Sequence, residues 1–89
     1  MLGDVLVEAS ELIVGQRQKD YGDPQINLTK IAELWTAYLD TQITGADVCK
    51  MMALLKFGRM ITGKERRDDA QDAIGYLAIY ADVFMGGQK

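Results

Sequence analysis

The chain has no histidine, which excludes His-based triads, imidazole proton shuttles and His–metal sites. Its single cysteine, Cys49, has no second thiol with which to close an internal disulfide. It lies in the most apolar stretch of the sequence, where it reads as a small buried hydrophobe in a reducing compartment. Long apolar runs are missing too, because charges interrupt each one well short of about 18 residues. Residues 1–12, MLGDVLVEASEL, place Asp4, Glu8 and Glu11 where a secretory signal would carry positive charge. A cytoplasmic protein is expected, with no membrane association. Basic residues are outnumbered, 10 against 13 acidic, for a net charge of −3, and this speaks against general nucleic-acid binding. There is no glycine-rich phosphate loop, and Thr62-Gly63-Lys64-Glu65 has too little of that pattern to count as one. Alternating strand-like runs, internal repeats and low-complexity tracts are also lacking.

What is present is apolar and helical. Hydrophobic residues make up 48% of 89, yet a chain this short buries only about 60–65% of its unfolded surface. A small bundle with more apolar surface than it can hide implies homo-oligomerisation.

The spacing predicts four helices in one domain, at about 4–20, 24–40, 45–62 and 68–85, an all-α, compact, four-helix bundle-like fold. In the first, Leu2, Val5, Leu6, Ala9, Leu12 and Ile13 recur at helical intervals, with Glu8 and Glu11 on the opposite side and Asp4 as a plausible N-cap. Gly22 and Pro24 stop it. Asp23-Pro24 then opens the second helix, Asp as cap and Pro at the first helical position. Thr44-Gly45-Ala46-Asp47 has the form of a capping box with Asp in place of Glu. The helix it launches is apolar nearly all round from Val48 to Ile61, so it is expected to be the most buried. Asp68-Asp69-Ala70-Gln71 repeats the capping-box form and predicts the start of the last helix at about Asp68.

Two side-chain groups carry candidate chemistry. Arg17-x-x-Asp20-Tyr21-Gly22 ends the first helix, offering a guanidinium fork for phosphate and a ring for stacking; a surface ion pair beside a capping glycine is the bland reading. Lys56 and Arg59 share one face of the third helix, and Asp68 and Asp72 share one face of the fourth. These four either satisfy one another where the helices cross, with Gly58 and Gly75 allowing close approach, or serve a ligand. Holding two helices together with desolvated charges rarely betters apolar packing, and Lys plus Arg suit phosphate oxygens. Asp68, Asp69 and Asp72, with Asp47 or Glu33, are the oxygen ligands available for Mg²⁺, but cations on the facing helix weaken such a site. Ser10, Cys49 and the threonines have no histidine base to activate them.

The order Arg17-Gln-Lys-Asp20-Tyr21-Gly22, Ile31-Ala-Glu-Leu-Trp35, Asp47-Val48, Met51-Met52, Leu54-Leu55-Lys56, Arg59, Gly63-Lys64, Asp68, Asp72 and Gly75-Tyr76 resembles a small domain family of unknown function from tailed phages and prophages. The likeness covers about residues 9–80. It implies a phage accessory protein and brings no established activity. A weaker likeness is to the all-α nucleotide pyrophosphohydrolases of the MazG type, which set E-E-x-x-E on one helix against E-x-x-D on another to hold Mg²⁺. Asp69-x-x-Asp72 matches the second motif; for the first this chain has only Asp47, then Lys50, Lys56 and Arg59, which counts against metal-dependent hydrolysis.

The expectation is a phage accessory protein that binds a small phosphorylated ligand, first of all a nucleotide or nucleotide-derived defence signal, and sequesters it. Arg17, Lys56 and Arg59 would hold phosphate, Tyr21 or Tyr76 would stack the base, and Asp20, Asp68 and Asp72 would orient these groups. No cofactor is expected. The rivals are a Mg²⁺-dependent MazG-like hydrolase and a protein–protein inhibitor of a host factor.

Overall fold

The computed structural model describes residues 1–12, 19 and 22–86. Among these residues the chain is all-α, with helices α1 (Leu2–Glu11), α2 (Pro24–Leu39), α3 (Gly45–Thr62) and α4 (Arg67–Ile79). A π-helical run, Tyr80–Phe84, continues α4.

Helix starts follow the cap chemistry at two of four places. Asp23 Oδ1 accepts the Gln25 N–H at 2.9 Å, and Pro24 follows at the first helical position, where its missing N–H costs nothing. At α3 the box is reciprocal: Thr44 Oγ1 accepts the Asp47 N–H at 3.1 Å and Asp47 Oδ2 accepts the Thr44 N–H at 3.0 Å. The other two starts differ from expectation. α1 begins at Leu2, which leaves Asp4 inside the first turn, 3.8 Å from the terminal amine, rather than at the cap. α4 begins at Arg67 with no side-chain cap. Asp68 and Asp69 instead occupy its first turn, where carboxylates favour the positive end of the helix dipole.

α2 ends in a left-handed Asp40 (φ 53°). Thr36 ties the following loop back to the helix, its Oγ1 accepting the Ile43 N–H at 2.8 Å and donating to the Ile43 carbonyl at 3.1 Å. α3 and α4 run antiparallel, with Gly45 against Phe84 at one end and Arg59 against Asp69 at the other. A Cβ on Gly45 would lie 2.5 Å from the Phe84 ring, so glycine is what lets the π-helical run close over the start of α3.

The apolar core sits where α2, α3 and the end of α4 meet: Leu28, Ala32, Val48, Cys49 and Ile79, with Trp35, Met52, Tyr76 and Phe84 packed against it. α4 lies between α1 and α3. Ala9 and Ala73 are both buried.

Three expectations are corrected here. α3 is not the most buried helix, because Leu54, Leu55, Phe57 and Ile61 are all exposed; its neighbours α2 and α4 leave one side open. α1 docks through one edge of its apolar stripe only: Ala9 is buried, but Leu2 and Leu6 are exposed and Glu8 is bonded to α4. Gly58 does not serve a close approach among the described residues, since a Cβ there would meet nothing within 4 Å.

Candidate functional site

The N-terminal half of α4 carries a layer of charge that reaches both neighbouring helices. Toward α3, Lys56 Nζ lies 3.0 Å from Asp72 Oδ2, and Arg59 Nε lies 3.2 Å from Asp69 Oδ1. Toward α1, Arg67 donates to Glu8 Oε1 at 2.9 Å, and the Gln71 amide donates to Glu8 Oε2. Asp69 is only 2% exposed, and Lys56 and Gln71 are largely covered. Among the described residues no buried side-chain polar atom lacks a partner, as desolvated charge requires.

Helical spacing explains the division of partners. Asp69 and Asp72, three apart, face Arg59 and Lys56, three apart on the antiparallel helix. Asp68 sits one position round, facing α1. Thus Arg59 pairs with Asp69, outside the expected set of Asp68 and Asp72, while Lys56 pairs within that set, with Asp72. The two cations do not stand free as a pair awaiting an anion.

Above this layer is a cleft of about 460 Å³ between α1 and α4. Glu8, Glu11 and Leu12 form one wall; Asp68, Gln71 and Asp72 form the other. Its lining therefore holds four carboxylates, and its cations stand behind them: Arg67 behind Glu8 and Lys56 behind Asp72. Among the described residues no three acidic, cysteine or histidine side chains converge to hold a metal ion.

Of the predicted site residues, the structure brings Lys56, Asp68 and Asp72 to or beside this cleft. Arg59 belongs to the α3–α4 seam, and Tyr76 packs on the apolar core further along α4. Arg17, Asp20 and Tyr21 lie outside the described residues. Glu8, Glu11 and Gln71 are additions. The signal for them is Glu8-x-x-Glu11 on one face of α1, a face that apolar periodicity assigns to solvent.

The chain matches, over residues 4–84, a family model described as a domain of unknown function, DUF6378. The chain belongs to this family. It is 40% identical over 84 residues to the Gene 55 protein of Mycobacterium phage D29, covering 94% of this chain and 56% of that protein. Against the Gene 55 protein of Mycobacterium phage L5 it is 41% identical over 76 residues, 84% of this chain and 49% of that protein. The chain thus spans about half the length of the curated relatives it matches. No solved structure matches it. The expectation of a phage-type domain of unknown function is met. Among the described residues no helix is long and apolar enough to cross a membrane.

Proposed function

We propose that this domain binds a small phosphorylated ligand, a nucleotide, in the α1–α4 cleft, and that it acts by sequestering the ligand rather than converting it. The observation that supports the reading is a ligand-sized cleft backed by ion pairs: about 460 Å³, within the range of about 300–1,000 Å³ usual for small-molecule sites. Carboxylates and the Gln71 amide are suited to the amino groups of a base and the hydroxyls of a ribose. Phosphate oxygens would be taken by Arg67, which is half exposed at the rim, and by Lys56, each exchanging a carboxylate partner for a phosphate. Arg17 is a further candidate donor, Tyr21 the stacking surface, and Asp20 an orienting group; Tyr76, packed on the apolar core, is not part of this cleft. In a host cytoplasm, such a binder would remove nucleotide signals used in defence.

The four carboxylates of the lining are what a Mg²⁺-dependent hydrolase reading would draw on. The described carboxylates do not converge on a common point, so they do not fit a resident ion, and no hydrolytic step is derived from them.

A thermal-shift series over mono-, di- and cyclic nucleotides, with and without Mg²⁺, tests the proposal. A true ligand at a hundredfold excess over its Kd should add about 2.7 kcal/mol of stability. Asp68→Ala and Arg67→Ala should each abolish that shift. No shift with any nucleotide would end the proposal, and appearance of a hydrolysed product would replace it with the enzyme reading.

A further inference from the structure

Independently of the cleft, α3 presents an apolar face that nothing among the described residues covers. Leu54 is 66% exposed, Phe57 52% and Ile61 80%, with Met51 and Leu55 beside them. Met51, Leu54, Gly58 and Ile61 follow one another at intervals of three, four and three, the spacing of a seam between two helices. Between Met51 and Ile61 that face carries no charge. Lys56 and Arg59 are both turned to α4, and Lys50, at its edge, lies over the Tyr80 ring, 4.7 Å from its centroid.

Gly58 lies within the helix, where glycine costs about 1 kcal/mol relative to alanine. A Cβ at that position would meet nothing within 4 Å, so packing among the described residues gives no reason for it. A gap of this kind on a bulky apolar seam accommodates a side chain from an apposed helix, which lets two axes approach closely.

We infer that this face is a homodimer interface in which α3 packs antiparallel on α3 of a second copy, with Leu54 seated over the partner's Gly58. The face is self-complementary in that arrangement. A two-fold axis passing near position 56 sets Leu54 opposite Gly58, Met51 opposite Ile61 and Leu55 opposite Phe57, so each large side chain faces an apolar partner and the contact closes on itself. The five side chains offer on the order of 500 Å² per copy, so about 1,000 Å² across the pair, at the threshold for a specific interface. The absence of charge on the face disfavours a nucleic acid or an acidic peptide as occupant. The pairing of bulk with gap selects a second copy over an unrelated apolar partner.

Sedimentation of the 89-residue chain across a concentration series should show conversion from 9.9 kDa to twice that mass. Leu54→Glu should weaken association by ~10-fold or more while helicity measured by circular dichroism is unchanged, since Leu54 makes few contacts in the single chain. Oxidised Met51→Cys/Ile61→Cys double variant should form a covalent dimer, whereas Ile61→Cys alone should not. A monomer at every concentration, a dimer indifferent to Leu54→Glu, or efficient crosslinking through Ile61→Cys alone would each overturn the inference.

Discussion

α3 and α4 lie side by side and invert the usual relation between polarity and burial. α3 is mostly apolar from Val48 to Ile61, yet it leaves Leu54, Leu55, Phe57 and Ile61 exposed. α4 opens with Arg67-Asp68-Asp69-Ala70-Gln71-Asp72, yet it buries Asp69, Gln71, Ala73, Gly75 and Ile79. Position accounts for the difference. α4 is flanked by α1 on one side and α3 on the other, so Asp69 and Gln71 are enclosed, and each is matched, by Arg59 and Glu8. Among the described residues α3 has neighbours on one side and nothing on the other. Composition states how much surface a helix would gain by hiding; the arrangement of neighbours decides whether it is hidden.

The contrast is broken most directly at Arg59. Arg59→Ala strips the buried Asp69 carboxylate of its cation and should cost about 2–4 kcal/mol, below the full value for a buried pair because Arg59 itself is half exposed. Denaturant unfolding should show the loss. Combining it with Asp69→Ala should restore part of it, while combining it with Asp72→Ala should not, because Asp72 pairs with Lys56.

A smaller effect is expected at the start of α3. Thr44→Ala should cost about 1 kcal/mol near neutral pH through loss of the cap. The Thr44 N–H, then the Thr44 hydroxyl, and last the charge of Lys50 hold the Asp47 carboxyl below its ordinary range. A carboxyl whose folded-state pKa is depressed contributes stability above its unfolded pKa and loses it as pH falls through the folded value. The difference between the parent and Thr44→Ala should therefore shrink below about pH 4, as thermal unfolding across an acid series would show.

The smallest effect sharpens the comparison. In dilute, monomeric protein, Ile61→Ser on the open face of α3 should change stability by less than about 0.5 kcal/mol, although it replaces one of the larger apolar residues of the chain. A loss comparable to that of Arg59→Ala would mean that Ile61 is covered in the monomer.

Much of the local structure was legible because it is written in short-range chemistry. The caps at Asp23 and Thr44 require residues two or three apart, and both form as the sequence predicts. Helical class follows from periodicity and the lack of strand signals. The Lys56–Asp72 pair was within reach because i,i+3 and i,i+4 spacing fixes which residues share a face. Asp69 as the partner of Arg59 was not, since one step along α4 rotates a side chain by about 100° and only the crossing of the two helices selects between Asp68 and Asp69. The inward turn of Glu8 was hidden for a related reason. α1 has an apolar stripe that predicts its own burial, but α4 offers it Arg67 and Gln71, and these draw Glu8 in beside Ala9 while Leu2 and Leu6 stay exposed. The same limit applies to Asp68, whose capping-box pattern forms no cap because the helix already begins at Arg67.

The hydrogen bonds from Arg67 and Gln71 to Glu8 also bear on the order in which the molecule assembles. They join residues 59 and 63 positions apart, whereas the Thr36–Ile43 clamp and the Thr44 box join residues seven and three apart. Closing a long loop is entropically slower than closing a short one, so the α2–α3 hairpin has the means to organise early and α1 to dock late. α1 has only Ala9 buried, and an element with few buried contacts is among the first to open under native conditions. One wall of the cleft is then expected to exchange its amides early, and the cleft to open as α1 undocks.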